Sequence, residues 1–335
     1  MEQNSLRKIL AMQMAFLLAF SGVPNGQKQE DTYIKWVDFQ VSKLALEEAY
    51  EYDVATYGAD AHISWIDLLA WTAAHTGGAF DQDRKVYQWM TQLEEEREKG
   101  SELKDLTGDL KYFSYYQEAY GAVLGGMVGE FELEGKSRYG LKAFHPIGKG
   151  FPYTDYDDFG VSRTYGYRRN HLGHDMLGQV GTPIIAVESG YVEALGWNQY
   201  GGWRIGIRSF DKKRYYYYAH LRQGFPYQKD LKEGSVVLAG DVIGYMGHTG
   251  YSAKEDVNNI DQTHLHFGMQ LIFDESQKDG DNQIWIDCYQ IVRFLYRQQS
   301  EVERNAETKE WRRTDEMKDP AAEAYERTLD FSRYP

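Results

Sequence analysis

Cysteine is all but missing from this chain. Cys288 is the only one in 335 residues, so no intramolecular disulfide can form. Its apolar neighbours Ile284, Trp285 and Ile286 suggest a buried thiol. Positive charge is also scarce: 37 Lys and Arg stand against 51 Asp and Glu, a formal net charge of -14. That balance argues against nucleic acid or anionic lipid as the main partner, because phosphate contacts need clustered cations. Long apolar runs are lacking as well. The run at 9–20, behind Arg7 and Lys8, falls short of the ~20 residues that a membrane span needs. A basic start and a short apolar core predict a secretory signal peptide within 1–26; an uncleaved membrane anchor and an ordinary N-terminal helix are the open alternatives. What is abundant is aromatic: 27 Tyr and 8 Trp suit a protein with extended flat surfaces.

The pattern over residues 30–130 is helical. Trp36 and Val37, then Leu44, Leu46, Ala49 and Tyr50, recur at steps of three and four, with glutamates between them. Ser64 followed by Asp67 is a capping pattern, and Gly77-Gly78 is a stop, so a helix is framed between them. Further helices are expected over 83–99 and 110–124. His62 and His75 are isolated here and read as surface or satisfied core histidines. Residues 131–162, with Pro146, Gly148, Gly150, Pro152 and Gly160, read as a linker and entry loop, in which Asp155, Asp157 and Asp158 form a solvated acidic stretch. From Thr182 onward short apolar segments alternate with glycine turns, which predicts antiparallel strands within a domain spanning 163–298. A helix is expected over 287–297, and the charged segment 299–335 reads as a loosely attached tail. The fold class is therefore α+β: a helical N-terminal domain followed by an antiparallel β-sheet domain.

The chemistry concentrates in the sheet region. His171 and Asp175 have the spacing H-x-x-x-D, and His264 and His266 the spacing H-x-H, with His220 between them. If these segments are strands, alternation puts His171 and Asp175 on one face, and His264 and His266 on one face. Two imidazoles and a carboxylate converging on one point make a three-ligand set with a fourth tetrahedral position open, which is how catalytic zinc is held. His174 points away by the same alternation, and His248, in a Gly-His-Thr-Gly turn, reads as a loop residue. Glu188 and Glu193 flank strands as solvated or ion-paired groups.

These residues, with Gly181-Thr182-Pro183, Tyr218-Ala219-His220-Leu221, Gly240-Asp241, Gly247-His248-Thr249-Gly250 and His264-Leu265-His266-Phe267, resemble the lysostaphin/LytM-type zinc metallopeptidases, including members with a helical N-terminal domain. The resemblance covers roughly residues 160 to 275 in the family's order. It implies a duplicated-hybrid-motif-like sheet and an exported, Zn²⁺-dependent endopeptidase acting on stem or cross-bridge peptides of bacterial peptidoglycan, on the cell-wall side of the membrane. Residue by residue, His171, Asp175 and His266 match the zinc ligands, and His220 and His264 the catalytic histidines. His264 is assigned as base toward the metal-bound water. His220 is assigned to the oxyanion or the leaving amine, the division between the two staying open. Tyr200, Trp203 and Tyr218 are the candidates for the substrate groove, since alternation gives Tyr216 and Tyr218 the face of His220. The link at 251–263 is longer than the family's and can reshape or cover that groove. The alternative is a non-catalytic or latent module that binds wall peptide or regulates a partner hydrolase; the five intact site residues favour an enzyme. The helical region reads as a spacer, a surface for a protein partner or a wall-targeting module.

Overall fold

A computed structural model describes residues 33–164 and 168–331. Among the described residues five helices come first: α1 (Lys43–Thr56), α2 (Trp65–Thr76), α3 (Asp83–Glu98), α4 (Leu103–Thr107) and α5 (Phe113–Leu124). The Ser64 hydroxyl accepts from the Asp67 N–H at 3.1 Å, which starts α2. Gly77 then turns to φ 68°, where a Cβ would be strained, and stops it. α5 begins later than its pattern suggests because Tyr112 takes φ 69°, which no α-helix continues through.

The strands follow: β1 (Val128–Leu133), β2 (Lys136–Leu141), β3 (Ser162–Thr164), β4 (Arg168–Asn170), β5 (His174–Leu177), β6 (Pro183–Ile185), β7 (Gly190–Asn198), β8 (Gly202–Ser209), β9 (Arg214–Ala219), β10 (Val236–Val237), β11 (Val242–Tyr245), β12 (His264–Leu271) and β13 (Ile284–Trp285). Helix α6 (Tyr289–Leu295) comes next, then β14 (Val302–Arg304), β15 (Trp311–Arg313), β16 (Met317–Lys318) and α7 (Pro320–Phe331). A seven-stranded sheet, in the order β10-β7-β8-β9-β12-β13 with β5 also paired to β12, is the platform. Its pairings are antiparallel throughout.

One face of that sheet is core. Tyr216 and Tyr218 of β9 sit opposite Met269 and Phe267 of β12 and opposite Ile207 and Ile205 of β8, and all six are buried. Leu68, Leu69, Tyr120 and Val123 of the helices belong to the same apolar cluster. From Ile34 onward the described residues accordingly form one compact unit, and packing runs unbroken across 131–162, where a linker was expected. Arg214 supplies the polar seam. It is buried, and its Nε and Nη2 donate to Glu188 at 2.7 and 3.0 Å, while Nη1 donates to the Ala122 carbonyl in the last turn of α5 at 2.8 Å. A Cβ at Gly126 would collide with the Glu188 carboxylate, so the approach of helix end to sheet depends on that glycine.

The C-terminal segment is woven in. β16 pairs with β1, Trp311 packs edge-on against Phe151, and Arg313 Nη1 donates to the Ala239 carbonyl at 2.7 Å. Most of its charged residues face outward, while Arg313, the buried Asp319 and a few apolar side chains anchor it, and composition alone therefore reads as a loose tail. Cys288 is buried as expected. The apolar run at 9–20 lies outside the described residues. Among the described residues, no helix is long and apolar enough to cross a membrane.

Candidate metal centre

Strand β12 is central to the site because its partners on both sides carry the other groups. His266 lies directly opposite Asp175 on β5 and opposite Ala219, the last residue of β9, on the other flank. His171 arrives differently. β4 ends at Asn170 and β5 begins at His174, so a break at Leu172-Gly173, and not strand alternation, turns His171 toward Asp175. Gly173 is required there: a Cβ would sit 2.6 Å from Cε1 of His266.

Three atoms converge as a result. His171 Nε2 is 3.1 Å from Asp175 Oδ1 and 2.9 Å from His266 Nδ1, and His266 Nδ1 is 3.0 Å from Asp175 Oδ1. His171 turns its other nitrogen, Nδ1, to the carboxylate and carbonyl of Asp158, each at 3.1 Å. Oxygens of that kind only accept, so the Nδ1 proton is held there, and Nε2 is the nitrogen that offers a lone pair to the centre once its own proton has left to make way for a cation. A proton can bridge only one of the three pairs at a time, whereas a cation satisfies all three at once. The donor set of two nitrogens and one carboxylate oxygen, with an outer carboxylate orienting a ligand, fits zinc.

Asp158 was expected in a solvated loop and is instead fully buried. It also accepts from His174 Nδ1 at 3.2 Å and from Arg163 at 2.9 Å, while His174 Nε2 meets Asp155 at 3.0 Å. His174 thus points away from the centre, as alternation required. Burial opposes ionisation throughout this network; it prevails at His266, while hydrogen bonds outweigh it at Asp158, His171 and Asp175. Those from His171 and His174 bring Asp158 down to about 2, and those to Asp158 and Asp175 raise His171 to about 9. Bonds from His171 and His266 hold Asp175 well below the usual carboxylate range. Arg163 also reaches Asp175 Oδ2 at 3.1 Å.

The two remaining histidines share one arrangement. His220 Nδ1 donates to the Thr249 carbonyl at 2.9 Å, and His264 Nδ1 to the Gln262 carbonyl at 2.8 Å. Each Nε2 is therefore left as a lone pair, and that of His264 lies 3.7 Å from Asp175 Oδ1. The rings stand 4.7 Å apart. Burial, then the neighbouring imidazoles, push His220 well below the ordinary histidine range, so it rests neutral. His220 takes φ 63°, a conformation costing a non-glycine residue about 1–3 kcal/mol. It is held there by its N–H donating to the Gly201 carbonyl at 2.8 Å and by its carbonyl accepting from the Gly247 N–H at 3.0 Å.

That left-handed residue also corrects the groove. β9 ends at Ala219, and the turn at His220 swings its ring to the opposite parity, so Tyr217 and Ala219 face the site. Tyr218 is buried on the core face, where its hydroxyl accepts from the Val187 N–H at 3.0 Å. Trp203 is likewise outside the groove: it follows Ile205 and Ile207 onto the core side, packs on Trp197 and Tyr227, and donates to Asp256 at 2.8 Å. Tyr200 does line the cavity of about 670 Å³ in front of the histidines. Tyr251, from the long 251–263 link, joins it and stacks 6.0 Å from His220. A second groove of about 480 Å³, beneath the β14–β15 hairpin, contains no histidine.

Residues 169–303 match the model for peptidase family M23. The chain is 38% identical over 148 residues to an L-Ala–D-Glu endopeptidase of Bacillus subtilis, spanning 43% of this chain and 44% of that protein. It is 37% identical over 98 residues to lysostaphin of Staphylococcus simulans, spanning 29% of this chain and 17% of that protein. The chain thus spans less than half the length of these relatives. A solved LytM-type structure from Ruminococcus gnavus covers 82% of this chain and 94% of its own, with a TM-score of 0.52 at 22% identity, so the fold extends to the helices as well.

Proposed function

Taking residues 169–303 as a peptidase family M23 domain, we propose that this chain is an exported zinc-dependent endopeptidase acting on peptides of bacterial peptidoglycan. The observation that carries the reading is the convergence of His171, Asp175 and His266 within 2.9–3.1 Å of one another, in front of two histidines that each present an Nε2 lone pair. His171 Nε2, Asp175 Oδ1 and His266 Nδ1 would hold the metal. Zinc supplies Lewis acidity that polarises the scissile carbonyl and lowers the pKa of the attacking water.

The chain's own residues do the rest. His264, its Nδ1–H fixed by Gln262, takes the proton of the attacking water at Nε2. His220, its Nδ1–H fixed by Thr249 and its ring neutral at rest, carries no proton at Nε2 until it receives the one released by the attacking water; it then passes that proton to the leaving amine or donates it to the oxyanion. Asp158 holds His171 in the tautomer that a ligand needs. Tyr200, Tyr217 and Tyr251 wall the groove for an extended peptide. The resemblance of the sequence to a peptide-cutting family, and the relative named for an L-Ala–D-Glu bond, support a peptidoglycan peptide as substrate. The basic-then-apolar start supports export, and the unbroken packing of helices on the sheet supports a bracing role for the helical region.

The test is metal content together with release of new peptide ends from purified cell wall, for wild type, His264→Ala and His171→Ala. The expected result is one zinc and peptide release in wild type, retained metal without release in His264→Ala, and neither in His171→Ala. A wild type that binds zinc and cuts no wall of any cross-bridge type is instead a binding or latent module. One that binds no zinc removes the central premise.

A further inference from the structure

The chain as a whole carries a net charge of -14, yet its candidate groove has the opposite bias. Besides histidines and tyrosines, the ionisable groups lining it are Arg163, Arg169 and Asp175. Arg163 is engaged, donating to Asp158 and Asp175 at 2.9 and 3.1 Å. Arg169 is not: among the described residues no carboxylate lies within ion-pairing distance of it. Its guanidinium is instead held by aromatic groups, 5.3 Å over the Tyr251 ring and 5.8 Å from the Tyr200 ring, with Nη2 donating to the Tyr251 hydroxyl. Rings and a phenol orient a guanidinium without neutralising it. The side chain is therefore held in place with Nη2 on Tyr251, no carboxylate pairs with its remaining N–H groups among the described residues, and fixing it beforehand removes part of the ordering cost of binding. It also stands two residues from His171, on the strand that leads into the metal-ligand set.

From this arrangement we infer that Arg169 is a substrate-carboxylate subsite, and that the peptide cut here bears a free carboxylate next to the scissile bond. The inference rests on the peptidase reading and narrows it. A stem peptide whose glutamate is linked through its side chain leaves such a carboxylate beside the cut. An oligoglycine bridge offers none, and its neutral backbone gives Arg169 nothing to neutralise.

The experiment uses the full chain loaded with zinc and three synthetic peptides: an L-Ala–D-Glu stem peptide with the glutamate carboxylate free, the same peptide with that group as carboxamide, and oligoglycine. Wild type is expected to favour the acid over the amide by roughly 10- to 100-fold in kcat/KM, the range for one hydrogen-bonded charge. Arg169→Gln is expected to bring the acid down to the level of the amide, mainly through KM, and Arg169→Lys to keep part of the preference. Calorimetry with His264→Ala reads binding without turnover, and the acid should bind more tightly than the amide. Equal cleavage of acid and amide by wild type overturns the inference. So does an Arg169→Gln variant that slows both by the same factor, which marks a structural role. If no peptide is cut but the acid still binds selectively, the peptidase reading fails and the subsite stands. If neither cleavage nor selective binding is seen, both fail.

Discussion

At Arg214 every donor meets an acceptor, whereas across the same sheet at His266 three potential ligand atoms meet one another and no arrangement of protons satisfies all three pairs. The first cluster is closed: the Arg214 guanidinium is shared among Glu188, Asp211 and the Ala122 carbonyl, and the Tyr216 hydroxyl donates to Glu188 at 2.6 Å. It locks the end of α5 to the sheet and leaves no valence for a ligand. The second is open, because Asp158 holds the Nδ1 proton of His171 on the outside and leaves Nε2 as the nitrogen turned inward to a cation. Both clusters are polar and largely withdrawn from solvent, so burial alone does not distinguish a structural ion pair from a ligand set. The direction of the lone pairs does. Strand β9 serves both, with Tyr216 on the closed side and Tyr217 on the open one.

The contrast can be broken first at the closed cluster. Arg214→Met should cost about 3–5 kcal/mol in denaturant unfolding, since it strands a buried carboxylate. Adding Glu188→Met and Tyr216→Phe should recover most of that loss, and a single variant costing under about 1 kcal/mol would show that the seam is not closed. At the open cluster, zinc at about 100 times its dissociation constant should stabilise wild type by about 2.7 kcal/mol, reversibly with a chelator. His171→Ala should lose that gain, and its persistence would place the metal elsewhere. A smaller effect lies one shell out: Asp158→Asn should weaken zinc about 10- to 100-fold in a competitive chelation assay. Unchanged affinity would mean that Asp158 does not set the His171 tautomer. The smallest is Tyr218→Phe, which should cost about 1 kcal/mol for the bond to Val187 and leave KM where it was. A shifted KM would return Tyr218 to the groove.

Much of this was legible beforehand, for local reasons. Ser64, Asp67 and Gly77 frame α2 through bonds within a few residues of each other. The order of helices and then antiparallel strands follows from periodicity, and the spacings H-x-x-x-D and H-x-H marked His171, Asp175, His264 and His266 because chemistry of that kind leaves residue types behind. The groove differs from expectation at Tyr218 because alternation was carried through His220, and at Trp203 because its strand turns it to the core side with Ile205 and Ile207. Nothing in the sequence marks His220 as left-handed, and a single positive φ reverses which tyrosines face the site.

What the sequence by itself determined is the chemistry: which donors exist, on which strands, and that the helices precede the sheet. Only the tertiary structure decided which lone pairs face each other. Asp158 is an ordinary aspartate in an acidic stretch until the chain folds it behind His171, and Arg169 is an ordinary arginine until Tyr200 and Tyr251 close around it. Those partners lie outside any one strand or turn, Asp158 being 13 residues from His171 and Tyr251 82 from Arg169, and a contact at such separation leaves no periodic trace in the sequence. Its energy comes from burial and direction, which exist only once the sheet is assembled.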